Sequence, residues 1–215
     1  MTEQNEQNTR DRILAAAKEA FLDKGFSGAT VRDICRRAEA NVAAVNYYFG
    51  DKNGVYLAVL DEIFSESFSN HPMQQGTANN SLEQQLENYV RVFLERIFHE
   101  NDDQDRDDRE CRLIAQAITT PSPVLDMLVE RYISPMSERL RSIISRLLGL
   151  SEDHSDVWLC AKSVAGQCMH YLYGQAVMHS LDPKEIEDQN INTIVNHIVR
   201  FSLAGVQQRR EEIRS

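Results

Sequence analysis

The feature of the sequence that most constrains its fold is a pair of very short predicted helices joined by a turn. Thr30, followed three residues later by Asp33, resembles a capping box with Asp in place of the usual Glu, and predicts the start of the first helix, TVRDICRRA. Asn41 is a good N-cap for the second helix, VAAVNYYF, which Gly50 ends. Helices of about eight residues are not stable alone. The pattern therefore predicts a helix-turn-helix that packs on another element.

The element on which this pair packs is predicted directly upstream. Residues 9–24 place apolar side chains on one face of a helix, and Gly25 follows as a C-cap. The side chains expected to hold the two short helices on it are Phe21, Phe26, Ile34, Val45 and Phe49. Together the three helices form a predicted head domain over residues 1–56.

The second short helix carries side chains suited to reading DNA. Val42, Ala43 and Ala44 are small, so the helix can enter the major groove closely. Asn46 lies one turn further on, where its amide can donate to and accept from a base edge. Helix-turn-helix shapes also occur in proteins that never touch DNA, and Tyr-Tyr-Phe is compatible with a core; the spacing agrees with known docking geometry and favours DNA binding.

The following residues are predicted to hold the DNA backbone. Tyr47 and Tyr48 can present phenolic hydroxyls to phosphates, whereas Phe49 anchors the helix in the core. Lys52 begins the next helix, where its charge adds to the partial positive charge of the helix N-terminus and favours a phosphate. The complete set of predicted DNA-binding residues is Thr30, Arg32, Asn41, Val42, Ala43, Ala44, Asn46, Tyr47, Tyr48 and Lys52.

The charge distribution supports a nucleic-acid function despite a formal net charge of −10. Residues 1–56 contain eight basic and eight acidic residues and are neutral, so the remainder carries the whole negative charge. An anion therefore meets much less repulsion at the N-terminal quarter than elsewhere.

The rest of the chain is also predicted to be helical, because Gly and Pro are few and apolar residues recur with the helical period. We expect an all-α fold of about nine helices. After the three in the head, they cover roughly residues 52–68, 82–99, 110–118, 123–148, 154–180 and 184–210. Residues 71–81 have the composition of a linker. The acidic run at 99–110 is expected to be a solvated loop, which lacks the spacing of a calcium-binding loop.

The sequence also indicates the cellular compartment. No window of eighteen residues is continuously apolar, and the polar N-terminus lacks the apolar region of a signal peptide. We therefore expect a cytoplasmic protein that does not enter a membrane. The four cysteines, with no CxxC pair among them, are interpreted as reduced and partly buried thiols. No pattern points to a metal site or a cofactor.

Residues 8–60 resemble the TetR family of one-component regulators. The matching positions are Gly25, Phe26, Thr30, Val31, Ile34, Ala38, Tyr47, Phe49, Gly50 and Lys52. The segments NVAAVNYYFGDKNGVY, TPSPVLDMLVERYISPMSERLRSIISRLLG and SVAGQCMHYLYG are similar to the CecR-like subgroup. Two positions depart from the family pattern: Glu39 stands where Gly is usual, and Asn46 where Tyr is common. Because Glu tolerates a positive φ only at a cost, the turn at Glu39 is expected to differ slightly.

The resemblance implies a homodimeric, all-α regulator in which two heads bind a palindromic operator and a ligand in residues 57–215 releases the DNA. The sequence supports a dimer independently through stripes of small and apolar residues on two late helices. The predicted interface comprises Ala161, Ala165, Cys168, Leu172, Ile194, Ile198 and Phe201. Internal packing within one chain is the alternative explanation of these stripes.

The ligand-binding residues are the least constrained by the sequence. An amphipathic effector needs apolar walls with a few polar or soft members, and the predicted helices offer Tyr89, Phe93, Gln116, Met127, Tyr132, Met136, Gln167, His170 and Tyr171. Core packing explains any single one of them equally well, and His170 is interpreted as a hydrogen-bonded core histidine. Because the domain is acidic, we expect a small hydrophobic or amphipathic effector that is uncharged or cationic.

Two other functions follow less well from the sequence. An enzyme is disfavoured because the chain has no Ser-His-Asp order and no GxSxG, HExxH or phosphate-loop motif. The second alternative is a DNA-binding structural protein without a small-molecule effector, whose acidic C-terminal domain holds a basic protein partner.

Overall fold

The computed structural model of the chain describes residues 2–73, 80–97, 104–173 and 190–215. Within these ranges the chain is α-helical and has no strand, which confirms the predicted fold class. The elements are α1 (Thr2–Gly28), α2 (Val31–Ala38), α3 (Val42–Phe49), α4 (Lys52–Asn70), α5 (Leu82–Glu95), α6 (Gln104–Thr119), α7 (Pro123–Leu128), a π-helical turn (Val129–Ile133), α8 (Ser134–Leu148), α9 (Ser155–Tyr173) and α10 (Ile191–Arg214). No described helix combines the length and apolar character needed to cross a membrane.

The predicted helices are found with changed ends. α7, the π-helical turn and α8 follow one another without a break over the single helix predicted at 123–148. When these three elements are counted as one helix, the described ranges contain nine helices. The predictions at 154–180 and 184–210 correspond to α9 and α10, and residues 174–189 lie outside the described residues. Positions 74–79 of the predicted linker lie outside them as well.

The described residues form two compact units. One comprises residues 1–67 and 101–129, and the other residues 68–100 and 130–215. The first unit thus contains α6 and α7 beside the helices of the head. The predicted functional boundary between residues 56 and 57 stays a prediction, because it divides the chain by role rather than by packing.

The acidic run at 99–110 is not the solvated loop expected from the sequence. Residues 98–103 lie outside the described residues, but the run is helical from Gln104 onward. Glu110 is buried and its Oε1 lies 3.1 Å from Nζ of Lys18 in α1, which is also buried. Glu110, at the end of the run, is therefore buried rather than solvated, because Lys18 neutralises its carboxylate.

A second ion-pair cluster joins α6 to the same unit. Arg109 of α6 donates to Asp23 Oδ1 of α1 over 3.1 Å. Arg37 of α2 donates to Asp23 Oδ2 over 2.7 Å. Asp23 therefore holds one arginine from α2 and one from α6, which ties three helices of the unit together.

The apolar core of the first unit confirms the predicted packing of the head. Phe21, Ile34 and Val45 are fully buried, and Phe26 and Phe49 are half-buried. α4 contributes Val55, Val59 and Leu60, all without solvent exposure. Each short helix has a buried anchor on α1 or α4, which explains why helices of eight residues are stable here.

The core of the second unit lies between α5, α8, α9 and α10. Each helix turns one apolar stripe inward: Leu86, Tyr89, Val90 and Leu94 from α5; Leu140, Ile143, Ile144 and Leu148 from α8; Val157, Ala161, Val164 and Cys168 from α9; Ile194, Val195, Ile198, Val199 and Val206 from α10. The unit is therefore a four-helix arrangement around one core.

Most of the predicted dimer residues contribute to this core, and their place in a dimer interface stays a prediction. Ala161, Cys168, Leu172, Ile194 and Ile198 are buried within the single chain, and Ala165 packs against the core from its edge. Small residues on these stripes allow α9 and α10 to approach other helices of the same chain, the alternative that the sequence left open. Of the seven predicted residues, Phe201 is the one that points outward, with 67 % of its surface exposed.

Candidate DNA-binding interface

The start of α2 is fixed by a local hydrogen-bond pair. The hydroxyl oxygen of Thr30 accepts from the backbone N–H of Asp33 over 3.1 Å, as the capping pattern predicts. The same hydroxyl donates to Asp33 Oδ2 over 2.8 Å. This hydrogen bond from Thr30, followed by that from Lys24, lowers the pKa of Asp33. The Thr30 side chain is thus engaged at the helix N-terminus, although the residue remains exposed.

The turn between α2 and α3 places Glu39 in the positive-φ backbone that glycine adopts at a lower cost. Its φ and ψ are 49° and 44°, the left-handed region, and it is the one non-glycine residue with positive φ in the described backbone. The next cap is Asn41, whose Oδ1 accepts from the N–H of Ala44 over 2.8 Å. The amide predicted to contact DNA therefore first serves to begin α3.

Replacing Glu39 by Gly is expected to stabilise the protein. A Cβ in the left-handed region costs about 1–2 kcal/mol, and glycine removes this cost. Part of the gain in stability is lost again, because glycine gives the unfolded chain more conformational freedom. We expect a net increase of roughly 0.5–1 kcal/mol in the free energy of unfolding. Urea titration of Glu39→Gly beside Glu39→Ala tests this, since alanine removes the carboxylate but keeps the strain. Equal stability of the two variants would contradict the prediction.

α3 presents one continuous face to solvent. Val42, Ala43, Asn46 and Tyr47 are exposed, Tyr47 to 75 %, whereas Val45 on the opposite side is fully buried. Positions i, i+1, i+4 and i+5 share one side of a helix, so these four side chains form a single surface. We call these four residues the α3 face. Its small first turn and polar second turn are the arrangement predicted for insertion into a major groove.

The tyrosines and Phe49 have separate environments at the end of α3. Tyr47 and Tyr48 contact each other edge to face, with ring centroids 4.9 Å apart. Phe49 is half-buried, and the guanidinium of Arg10 lies over its ring at 5.5 Å from the centroid. The predicted anchoring role of Phe49 agrees with this burial.

α3 and α4 meet in a very close backbone approach. Gly50 ends α3 with φ 79°, and its N–H donates to the carbonyl of Asn46 over 3.0 Å. Asp51 then begins α4, its carboxylate accepting from the N–H of Gly54 over 2.9 Å, and this bond lowers the pKa of Asp51. A Cβ at Gly54 would collide with the carbonyl oxygen of Phe49. The position is therefore restricted to glycine by space.

Lys52 lies in the first turn of α4, as predicted. Its Nζ is 4.4 Å from the centroid of the Phe26 ring, so the ammonium rests on an aromatic face. The side chain is half-buried, which limits its rotamers and places the charge beside the N-terminal turn of α4. Such a restrained cation is suited to a phosphate.

The other predicted DNA-binding residues lie on the same unit. Arg32 is exposed on α2, Ala44 and Tyr48 are half-buried on α3, and Asn41 is exposed at its cap. Sequence reasoning missed Arg10, which reaches Phe49 from α1, and Tyr56, which is buried against Phe21 with ring centroids 5.0 Å apart. Burial raises the pKa of Tyr56 to about 12, and its hydroxyl has no hydrogen-bond partner among the described residues. No sequence signal distinguishes such a tyrosine from a phenylalanine.

The predicted ligand-binding residues are not all brought together. Tyr89, Phe93, Tyr132 and Met136 belong to the second unit and lie near one half-buried arginine, Arg96. The amide of Gln167 donates to Ser202 over 3.1 Å, between α9 and α10.

The remaining candidates are elsewhere. His170 is exposed and contacts Tyr171 edge to face, so its interpretation as a core histidine is wrong. Gln116 and Met127 belong to the first unit.

Family comparisons match both parts of the chain. Residues 13–59 match the model of bacterial regulatory proteins of the tetR family. Residues 82–206, more than half of the chain, match the C-terminal domain of the HTH-type transcriptional dual regulator CecR. The first match contains α2, α3 and the Gly54 contact, and the second contains most of the four-helix core.

Similar individual proteins are transcriptional regulators. The chain is 24 % identical over 223 aligned residues to the HTH-type transcriptional dual regulator CecR of Shigella flexneri, with 97 % of each covered. It is 26 % identical to the probable regulator YttP of Bacillus subtilis, covering 59 % of this chain and 58 % of YttP. It is 37 % identical to the repressor NicS of Pseudomonas putida, covering 29 % of each. The last two matches span less than two thirds of those proteins.

Solved structures with the same fold extend over nearly the whole chain. The hemolysin II transcriptional regulator HlyIIR has a TM-score of 0.55 at 20 % identity, covering 89 % of this chain and 97 % of that one. The fatty acid degradation regulator FadR of Bacillus halodurans has a TM-score of 0.64 at 13 % identity, covering 92 % and 95 %. At these identities the likeness shows the fold alone.

Proposed function

Because the chain belongs to the TetR family of bacterial regulatory proteins, with a C-terminal domain of the CecR type, it is a DNA-binding transcriptional regulator, and we propose that it acts as a homodimeric repressor. In this proposal the dimer binds a palindromic operator in the cytoplasm, and a small organic effector releases it. Its relatives are regulators and not enzymes. The repressor role is supported by the name of NicS, which matches the N-terminal part.

The observation that carries the DNA-binding proposal is the α3 face. Val42, Ala43 and Asn46 are exposed on a helix whose buried side is anchored by Val45. The helix is held rigidly by caps at both ends, so the exposed side chains can meet base edges without ordering a loop on binding. Tyr47 of this face and Lys52 in the first turn of α4 supply phosphate contacts that fix its register.

Variants of the α3 face and of Lys52 are expected to separate specificity from general affinity. Lys52→Ala removes one phosphate contact, so it should weaken binding to all sequences and reduce the slope of affinity against salt by about one. Asn46→Ala and Ala44→Leu should change which operator is preferred, by roughly 1–3 kcal/mol for each lost base contact.

The measurement is a binding titration on operator and random DNA at several salt concentrations. Asp61→Ala, a charge change on the same helix as Lys52, serves as the control for Lys52→Ala. Unchanged non-specific binding by Lys52→Ala would remove Lys52 from the phosphate contacts. An unchanged base preference in both Asn46→Ala and Ala44→Leu would exclude α3 as the helix that reads the bases.

The homodimer proposal rests on the outward sides of α9 and α10. Leu159 and Phe201 are large apolar side chains exposed to 61 % and 67 %. Gly166 and Gly205 lie on the same exposed sides with open space around them. A depression of about 570 Å³ beside Phe201 is lined by His197 and Arg200, among others. A second copy that packs here would cover apolar surface and bring two heads to one operator.

Regulation by a protein partner is the alternative to control by a small-molecule effector. The acidic residues that follow residue 56 would favour a basic partner. Thermal shift with hydrophobic compounds, followed by operator titration, distinguishes the two. A compound that stabilises the protein and lowers operator affinity supports the effector. The absence of any such compound, with a basic protein recovered as a stoichiometric complex, supports the alternative.

A further inference from the structure

Arg96 occupies an unusual environment at the end of α5 in the second unit. Its guanidinium carbon lies 3.6 Å from the centroid of the Phe68 ring. Its Nε and Nη2 both donate to the backbone carbonyl of His71, over 3.1 and 2.8 Å. Its Nη1 lies 3.2 Å from the sulfur of Met136. The cation is therefore held from several sides in a half-buried position.

The part of this environment that the structure describes contains no counter-charge. A guanidinium has five N–H donors and is suited to a bidentate carboxylate. Among the described residues, no carboxylate lies within ion-pair distance of Arg96, and its contacts are a carbonyl, a thioether and an aromatic ring. The neighbouring Glu95 instead lies 3.8 Å from Nδ1 of His71. Two of the five Arg96 donors bind the carbonyl and one contacts the weak sulfur acceptor, so the guanidinium retains N–H groups for an anion.

The surroundings of the guanidinium are aromatic and apolar. Tyr132 contacts Phe68 edge to face at 5.0 Å between centroids, and it is buried in the π-helical turn. Tyr89 is buried close enough to Arg96 for an electrostatic interaction. The ring centroid of Phe93 lies 6.4 Å from that of Tyr89. π-Helical turns are rare and occur frequently at functional sites. An apolar wall beside a cation that no described carboxylate neutralises is the chemistry of a pocket for an amphipathic anion.

We propose that Arg96 binds the carboxylate of an amphipathic, anionic effector whose apolar part lies along Phe68 and Tyr132. This proposal rests on the proposed control by a small molecule and specifies the chemical class of that molecule. It replaces the expectation of an uncharged or cationic effector. Net charge acts over a distance and is screened within about 8–10 Å at physiological salt, whereas a desolvated guanidinium acts at contact.

The protonation state of Arg96 is compatible with this role. Burial lowers the pKa of Arg96 to about 10, so the guanidinium stays charged at neutral pH. A purely structural role is the competing explanation, because the bonds to the His71 carbonyl fasten α5 to the residue after α4. That role requires the bonds to His71 but gives no reason to distinguish a carboxylate from its neutral amide.

The test uses matched pairs of a carboxylate and its primary amide, from butanoate to dodecanoate and including 4-phenylbutanoate, on the full chain without DNA. Isothermal titration should show at least one carboxylate binding about tenfold or more tightly than its amide. Arg96→Gln should abolish this preference, and Arg96→Lys, which keeps the charge but not the fork, should keep only part of it. Arg214→Gln removes an exposed charge from the last turn of α10 and should leave the preference unchanged.

The outcomes separate the two levels of the proposal. Equal binding of every carboxylate and its amide, or a preference that persists in a folded Arg96→Gln variant, would overturn the role of Arg96. If Arg96→Gln fails to fold, as judged by circular dichroism, the wild-type preference and the Arg96→Lys variant still decide. Carboxylate binding that leaves operator affinity unchanged would instead reject effector control while keeping Arg96 as an anion site.

Discussion

Replacing Gly54 by Ala is expected to disrupt the junction of α3 and α4 and to abolish specific DNA binding. The added Cβ would collide with the backbone carbonyl oxygen of Phe49, and backbone cannot rotate away as a flexible side chain does. We expect a loss of about 3 kcal/mol in the stability of the first unit, the upper part of the range for overpacked sites. α3 should lose its fixed position with the junction, so operator affinity should fall with it.

Chemical denaturation followed by circular dichroism, together with operator titration, measures this effect. Asn53→Ala is the matched control, since it changes the adjacent, exposed residue of the same turn and should alter stability by less than about 0.5 kcal/mol. If Gly54→Ala bound the operator as tightly as Asn53→Ala, the close approach of α4 to Phe49 would not exist in solution.

Replacing Phe201 by Asp is expected to convert the proposed dimer into monomers. A carboxylate at this position would be desolvated against the partner chain, without a cation arranged to receive it. A monomer engages only one half-site, so operator affinity should fall by about 10²–10⁴, the usual gain from linking two binding modules. The monomer itself should stay folded, because Phe201 is outside the core of its own chain.

Multi-angle light scattering and operator titration test the prediction. Gln207→Asp introduces the same charge at an exposed position on another side of α10 and should leave the dimer intact. A wild-type protein that is already monomeric at micromolar concentration would contradict both the interface and the palindromic operator. Dimers of Phe201→Asp would move the interface to another surface.

The parts of the head that could be predicted from sequence are those determined by local interactions. Thr30 and Asn41 begin helices because their side chains accept from backbone N–H groups three residues away, and this requires no knowledge of the fold. The turn at Glu39 was instead expected to differ slightly, because Glu adopts a positive φ only at a cost, yet its backbone lies in the left-handed region. The exposed α3 face follows from the helical period once Val45 is assigned to the core.

The parts that could not be predicted depend on which distant groups meet. Lys18 and Glu110 are each ordinary surface residues by type, and only the packing of α6 on α1 buries them together. Gly54 looks like a weak helix residue until the Phe49 carbonyl is placed beside it. Ala161 and Cys168 fit a dimer stripe and an internal core equally well, because small residues permit close packing against either kind of neighbour.

The ion pairs that join α6 to α1 and α2 bear on how this regulator could exchange its DNA specificity. Lys18 and Asp23 lie in the head, but their partners Glu110 and Arg109 lie far along the chain, within the part that matches the CecR C-terminal domain. A chimera that grafts residues 1–56 onto the body of another regulator would separate these charges and leave a lysine buried without its carboxylate. We therefore expect that the head cannot be transferred as a module. Substitutions on α3 should change the operator preference with a smaller loss of stability than a gene fusion.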